Sequence, residues 1–234
     1  MTKLCMRSAP LIIFSFFMLV STFPLKAEVF ATSPDDEKEA EAAEVAKIYF
    51  LAEMTMSNVS DLMRVLDGLN TGSKNLKTIY LYINSEGGSI DSGKMAYWAI
   101  KSSRTPVTAV NLSMVASSAT LMFCGAEERR SLERGILYLH APSTWSDGGA
   151  YIQPDQLINA EQLLGVYKDS MADIYRECTS LSDDEIEKIL YSENDRLVLS
   201  PVEAEEKGII SAIENGIVDA PLSIVIKDAS EDDG

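Results

Sequence analysis

The chain has 234 residues and a formal net charge of −16 at pH 7, because 36 acidic side chains oppose only 20 lysines and arginines. This acidic balance argues against nucleic-acid binding, which needs basic side chains gathered on one face. The chain has one histidine and no CxxC pair, which argues against a zinc site built from the usual ligands. We therefore expect no nucleic-acid partner, no metal and no cofactor.

The first 27 residues have the pattern of a secretory signal peptide. Lys3 and Arg7 make the start basic, an apolar run extends from Pro10 to Val20, and a small residue, Ala27, precedes a change to polar sequence. The apolar run is shorter than the roughly 20 residues of a membrane-spanning helix. We expect an exported protein, periplasmic or secreted, with an uncleaved amino-terminal anchor as the alternative.

The remaining chain divides into an acidic flexible tether over 28–46, one α/β domain over 47–218, and an acidic carboxyl-terminal tail over 219–234. Two cysteines lie within the domain, Cys124 and Cys178. They are compatible with a disulfide in an oxidising compartment or with two buried thiols, and the sequence leaves this choice open.

Apolar runs alternate with helical patterns along the domain. Their order predicts strands over 47–55, 78–85, 107–112 and 135–141, and helices over 58–70, 89–102, from 117 onward and over 155–177. Alternating strands and helices are typical of right-handed crossovers on a mostly parallel sheet. Ser182 and Glu185 form a capping box that predicts a further helix start.

Two strand-to-helix corners have features of an anion-binding site. In "INSEGGSIDSG" the glycines Gly87 and Gly88 follow a strand and open a helix, so the backbone can adopt positive φ and leave its amides free. In "VNLSMVASSAT" a second strand ends and a helix begins near Ser117, where free amides favour a developing oxyanion. A tight turn without any ligand is the alternative explanation of the glycine pair.

Four motifs in the same order resemble the Clp protease proteolytic subunit and its relatives in the crotonase-like superfamily. They are "IYLYINSEGGSIDSG", "ASSATLMFCGA", "YLHAP" and "NDRLVLSPVEAEEKGII", and the similarity extends over about 47–218. The resemblance implies the ββα superhelix of that superfamily, with a mostly parallel sheet and a protruding handle helix.

The resemblance also implies a catalytic site. The interval between Gly88 and Ser117 reproduces the family's separation of the oxyanion glycine from the nucleophile, so Ser117 is identified as the nucleophile. The amides of Gly88 and Ser118 would form the oxyanion hole. His140 matches the general base, and Asp195 matches the acid that orients it. A serine needs such a base, and the base needs a carboxylate that holds one tautomer.

Three segments depart from the family pattern. Glu86 stands where the family usually has proline, in a strip with Gly87 that would hold the substrate backbone. The segment 143–155 is longer than the family's turn and is either a lid or a plain surface insertion. The acidic tether replaces the loop that docks an ATP-driven unfoldase, so we expect no ATPase partner for an exported chain.

The helix predicted over 155–177 carries apolar or small residues at alternating steps of three and four, from Leu157 to Cys178. Such a stripe is typical of a handle that packs two rings of a homo-oligomer together, but also of an ordinary helix facing the core. The two interpretations stay open at this point.

The sequence therefore favours an ATP-independent serine peptidase that cleaves small or unfolded polypeptides. The main alternative is a catalytically silent domain of the same fold that serves as an oligomeric scaffold or peptide binder. Two other enzymes are less favoured. A Ser/Lys dyad using Lys168 would leave His140 and Asp195 without a role, and an acyl-CoA enzyme would rarely meet its substrate outside the cell.

Overall fold

The computed structural model describes residues 28–32, 42–72, 74–144 and 153–229. The predicted signal peptide and most of the 143–155 insertion lie outside these residues. The strands are β1 (Glu28–Thr32), β2 (Val45–Leu51), β3 (Thr78–Ser85), β4 (Val107–Ala116), β5 (Glu128–Leu132), β6 (Ile136–Leu139), β7 (Leu197–Leu199), β8 (Ala212–Glu214) and β9 (Leu222–Lys227). The helices are α1 (Met56–Gly72), α2 (Ile90–Lys101), α3 (Ala119–Cys124), α4 (Pro154–Cys178), α5 (Asp183–Tyr191) and α6 (Pro201–Glu206), with a 3-10 helix over Glu193–Asp195.

The described strands form one mixed sheet in the order β1-β9-β2-β3-β4-β5-β8, with β6 paired to β4 and β7 paired to β6. Only the β1–β9 and β6–β7 pairs among them are antiparallel. The predicted α/β class with a mostly parallel sheet is confirmed. The first half of β4 pairs with β5 and its second half with β6, so β4 divides between two neighbours. This division carries β6 to the end of the sheet where β4 stops.

Two segments predicted to lie outside the domain belong to the sheet. Leu222–Lys227, inside the predicted acidic tail, forms β9 and pairs with β2. Glu28–Thr32, inside the predicted tether, forms β1 and pairs with β9. The reason for the difference is that β2 would otherwise expose an unpaired edge, and the alternating apolar residues of "LSIVIK" cover it. The domain boundary therefore does not fall at residue 218.

The core lies between the sheet and the helices α1, α2 and α3. Phe50, Leu62, Leu81 and Phe123 are fully buried there, one from each of four different elements. Fully burying side chains of this size contributes about 1.5–3 kcal/mol each. This buried core holds the central strands β2 and β3 in place, and with them the site at their ends.

Helix α4 has two different halves. Met171, Ile174 and Tyr175 are buried against the core in the second half. The apolar residues of the first half are instead exposed, namely Leu157, Ile158, Leu163 and Val166. The second half is therefore a helix that faces the core, as one of the two interpretations predicted. The first half leaves these apolar side chains exposed, and its packing against a second ring stays a prediction. None of the described helices is long and apolar enough to span a membrane.

A disulfide joins Cys124, the last residue of α3, to Cys178, the last residue of α4. The two Cα atoms lie 5.5 Å apart, within the usual range for such a bond. The short helix that follows the predicted nucleophile is thereby linked to the base of the handle.

Candidate active site

Three strand ends meet at one edge of the sheet. β3, β4 and β6 run parallel and are neighbours, with Ser85 opposite Val115 and Ala116 opposite Tyr138. Gly87 and Gly88 follow β3, Ser117 follows β4 and His140 follows β6. The carboxyl ends of parallel strands are where α/β folds usually bind ligands, so these predicted site residues are gathered in one region.

Ser117 has an unusual backbone conformation. Its φ of 54° makes it the one non-glycine residue with positive φ among the described residues. Its amide donates to the carbonyl of Tyr138 at 2.9 Å, and its carbonyl accepts from the Thr120 amide at 2.9 Å. A residue in this region costs of order 1–3 kcal/mol, and such residues cluster at active sites. The surrounding hydrogen bonds hold Ser117 in the strained turn.

The glycine pair is required where the β3 corner approaches the β4 corner. Gly87 and Gly88 have φ values of 100° and 142°. A Cβ atom at Gly87 would lie 2.6 Å from Cβ of Ser117, and one at Gly88 would lie 2.8 Å from the carbonyl oxygen of Met54. Any larger residue at either position would therefore separate the two corners or displace the segment after β2 that contains Met54.

The amides of Gly88 and Ser118 are available as donors. Within the described ranges, neither amide donates a hydrogen bond to another backbone group. The Cβ position of Gly87 lies 3.1 Å from the Ser118 nitrogen, so the two corners bring these amides into the same region. The Ser118 hydroxyl is buried without a hydrogen-bond partner. Paired backbone donors beside a nucleophile are the arrangement that stabilises an oxyanion.

His140 lies at the end of β6 with 21% of its side chain exposed. Its Nδ1 atom is 3.0 Å from Oε2 of Glu193, and its ring packs against Tyr138 with the centroids 5.1 Å apart. No hydrogen bond joins the ring to Ser117 in the described parts of the chain. Catalytic hydrogen bonds are often long before substrate binds and tighten in the complex.

The structure brings Glu193, rather than the predicted Asp195, to His140. Both residues belong to the 3-10 helix Glu193–Asp195, where successive residues are rotated by about 120°. Glu193 and Asp195 therefore point in different directions, and only Glu193 contacts the imidazole. Glu193 was not predicted from the sequence, because the family resemblance assigned the acid to Asp195 of the Asp-Arg pair. An acidic residue within the same short turn was the available signal.

The carboxyl of Glu193 is held in its ionised form. Its pKa is lowered chiefly by the hydrogen bond that Tyr138 donates, and further by His140 and Arg196. Partial burial opposes this shift. The same hydrogen bond raises the pKa of Tyr138. A negative charge therefore stands beside Nδ1 of the imidazole at neutral pH.

A cleft of about 510 Å³ opens beside Gly88. Its walls include Glu53, Ile90, and Leu163 and Tyr167 of the handle helix. A second cleft, beside Glu86, also contains Glu53 and Asp228. The larger cleft of about 680 Å³ is lined by the disulfide and lies away from Ser117. The cleft beside Gly88 is therefore lined by both apolar and acidic side chains.

The structure does not support the Ser/Lys alternative. Lys168 makes no hydrogen bond to Ser117 in the described residues, so no Ser/Lys pair is formed. No cluster of three or more His, Cys, Asp or Glu side chains capable of holding a metal occurs within these same ranges.

The strained serine, the paired amides and the histidine hydrogen-bonded to a carboxylate are the groups that a serine-hydrolase site on an α/β fold requires. A model of the Clp protease family matches residues 37–216. The chain is 30% identical over 179 residues to the ATP-dependent Clp protease proteolytic subunit 1 of Chlamydia pneumoniae, covering 75% of this chain and 90% of that protein. It is 26% identical over 195 residues to the ATP-dependent Clp protease proteolytic subunit of Pleurastrum terricola, covering 80% and 95%.

The chain belongs to the Clp protease family. A solved structure of a ClpP1 point mutant from Listeria monocytogenes has the same fold, with a TM-score of 0.61 and 22% identity over 74% of this chain and 92% of that one. Family membership confirms the predicted resemblance and supports a serine-type peptidase activity.

Proposed function

We propose that this protein is a serine peptidase that hydrolyses small or unfolded polypeptides, with Ser117 as nucleophile and His140 as general base. The observation that carries the proposal is the positive φ of Ser117 beside two amides that donate to no backbone group. A strained serine next to free donors is of no use to a purely structural turn. It is the arrangement required for acyl transfer.

In this mechanism the Ser117 hydroxyl transfers its proton to Nε2 of His140 and attacks the scissile carbonyl carbon. The amides of Gly88 and Ser118 stabilise the oxyanion that develops on the carbonyl oxygen. His140 then gives the proton to the leaving amine, and water releases the acyl group by the same steps. A carboxylate on Nδ1 must hold the imidazole tautomer. Asp195 is the candidate from the family motif and Glu193 the candidate from the geometry.

The substrate would lie extended along Glu86 and Gly87, beside the cleft that contains Glu53. An extended backbone suits unfolded chains and excludes folded ones. The signal-peptide pattern of residues 1–27 supports an exported location, and the Cys124–Cys178 disulfide suits an oxidising compartment. Outside the cell no ATP is available. The proposed activity is therefore independent of ATP, unlike that of the relatives named as ATP-dependent subunits.

The exposed apolar half of α4 is the proposed contact between copies of the chain. Leu157 and Val166 are each 61% exposed, although removing apolar side chains from water would lower the free energy of the protein. Pairing of two handles from a ring-forming homo-oligomer would cover them. Assembly would also order the cleft beside Gly88, because Leu163 and Tyr167 of the same helix line it.

The proposal is tested by labelling the purified protein with a fluorophosphonate probe and by following hydrolysis of short fluorogenic peptides. Ser117→Ala should abolish both signals. Ser118→Ala is the matched control, because the buried Ser118 hydroxyl has no partner and only its amide takes part. Labelling that survives Ser117→Ala would place the nucleophile elsewhere. A wild type that neither labels nor cleaves would favour the silent scaffold.

A further inference from the structure

The geometry points to Glu193, and not Asp195, as the residue that positions His140, with Tyr138 holding the Glu193 carboxylate in place. The catalytic consequence rests on the proposed peptidase function. The pairing itself does not, since it is a property of the folded chain whether or not Ser117 reacts.

The pairing of β6 with β7 brings these residues together. The two strands are antiparallel, with Tyr138 opposite Val198 and Leu139 opposite Leu197. The chain that enters β7 therefore passes the end of β6, where His140 lies. Glu193 is in the 3-10 helix at that entry, and the Ser192 hydroxyl accepts from the Asn194 amide at 3.2 Å to begin the turn.

Both carboxylate oxygens of Glu193 have partners at the carboxyl end of β6. Oε1 accepts a hydrogen bond from the Tyr138 hydroxyl, and Oε2 lies 3.0 Å from Nδ1 of His140. Tyr138 and His140 are two residues apart, so their side chains fall on the same side of β6. One carboxylate thus links two neighbouring rings and is fixed at both ends.

Arg196 closes the turn behind the carboxylate. Its Nη1 donates to the Glu193 carbonyl at 3.0 Å, and its Nε lies 3.9 Å from Glu193 Oε1. Among the described residues, Glu193 and Tyr138 contact the His140 ring, and Arg196 contacts Glu193. The Asp195 carboxylate makes no hydrogen bond or ion pair with any of these side chains in the described part of the chain. Its amide donates to the Ser192 carbonyl at 3.0 Å, which is a backbone role.

The hydrogen bond from His140 to Glu193 determines which ring nitrogen can act as base. An ionised carboxylate only accepts, so Nδ1 must carry the proton and Nε2 keeps its lone pair. Nε2 can then take the proton of Ser117. A glutamine at position 193 has an amide group that donates to Nδ1, which favours the opposite tautomer and blocks Nε2. The substitution changes the shape of the side chain very little.

The first test compares peptide hydrolysis by Glu193→Gln, Asp195→Asn and Tyr138→Phe in the full-length protein without a histidine tag. We expect Glu193→Gln to lower kcat by roughly 10²- to 10⁴-fold with little change in KM, as expected for loss of the orienting carboxylate. Asp195→Asn should lower it less than about threefold, and Tyr138→Phe by about tenfold. Glu187→Gln, at an exposed position on α5, controls for the change in net charge.

Rescue by the conservative variant distinguishes positioning from a merely structural role. Glu193→Asp keeps the carboxylate on a shorter side chain and should recover part of the rate that Glu193→Gln loses. A merely structural role would predict no such recovery, because aspartate differs more from glutamate in size than glutamine does.

A second measurement reports the contact between His140 and Glu193 even if the protein has no peptidase activity. His140 is the only histidine in the chain, so its imidazole nitrogen signals can be assigned without ambiguity in a protein labelled with ¹⁵N-histidine. We expect the Nδ1-protonated tautomer in the wild type and in Asp195→Asn, and the Nε2-protonated tautomer in Glu193→Gln.

Unchanged tautomer and rate in Glu193→Gln, with loss of both in Asp195→Asn, would overturn the inference and leave the peptidase proposal intact. An inactive wild type whose His140 tautomer still depends on Glu193 would instead overturn the proposed function and support the pairing.

Discussion

Gly93 of α2 packs directly against the turn that carries the nucleophile, which makes it a sensitive test of the site. A Cβ atom at this position would lie 2.5 Å from the carbonyl oxygen of Ser118 and 3.1 Å from its Cβ. A backbone carbonyl cannot rotate away as a flexible side chain can. Because Leu121 donates to the same carbonyl at 3.2 Å, Gly93→Ala must shift the turn or α2 itself.

The matched control is Gly68→Ala in α1, where an added Cβ would meet nothing within 4 Å. Glycine in a helix costs about 0.5–1 kcal/mol relative to alanine. We therefore expect Gly68→Ala to raise the free energy of unfolding by that amount. Gly93→Ala has the same helical gain but suffers overpacking, which costs about 1–3 kcal/mol. Both variants gain the same amount from the replacement of a helical glycine. Their free energies of unfolding should therefore differ by the overpacking cost alone, about 1–3 kcal/mol.

Urea denaturation followed by circular dichroism measures this difference, and fluorophosphonate labelling measures its effect on the site. We expect labelling of Gly93→Ala to slow by about ten- to a hundredfold, because displacement of the Ser118 amide weakens the oxyanion hole. Gly68→Ala should label like the wild type. If Gly93→Ala proved as stable and as reactive as Gly68→Ala, the close contact between α2 and the Ser118 turn would be refuted.

Two further predictions concern the handle helix. Replacing Cys124 and Cys178 together by alanine should lower the free energy of unfolding by about 2–4 kcal/mol, since the disulfide closes a loop of 54 residues. Dithiothreitol should destabilise the wild type similarly and leave the double variant unaffected, whereas equal stability of all forms would contradict the linkage. Leu157→Glu should yield smaller assemblies by light scattering with unchanged circular dichroism, while Leu157→Gln should weaken assembly less. A wild type that is a monodisperse monomer would contradict the proposed handle contact.

The local features of this protein follow from its sequence because their causes lie within a few residues. β3 occupies the predicted range 78–85, since a run of apolar and β-branched residues needs only a sheet to bury it. The Ser182–Glu185 capping box begins α5 as predicted, and the glycines that follow β3 adopt the positive φ that no larger residue would accept easily. The position of Ser117 after a strand and before a helix was predictable for the same reason.

Other features depended on partners far away in the chain. β9 was predicted as a tail because six residues with weak alternation become a strand only when the edge of β2 is available to pair with them. The exposure of one half of α4 and burial of the other is determined by where the core ends, while the apolar stripe continues through both.

The sequence shows two acidic residues in the turn near His140, but it does not show which of them contacts the ring, for the same physical reason. Glu193 is 53 residues away along the chain, and its contact depends on the register of β7 against β6 and on the rotation of one 3-10 turn. The sequence shows that this turn contains two acidic residues, Glu193 and Asp195, but not which way either side chain points. Only the tertiary structure determines which one faces the imidazole, since a rotation of about 120° per residue places one carboxylate against the ring and turns the other away from it.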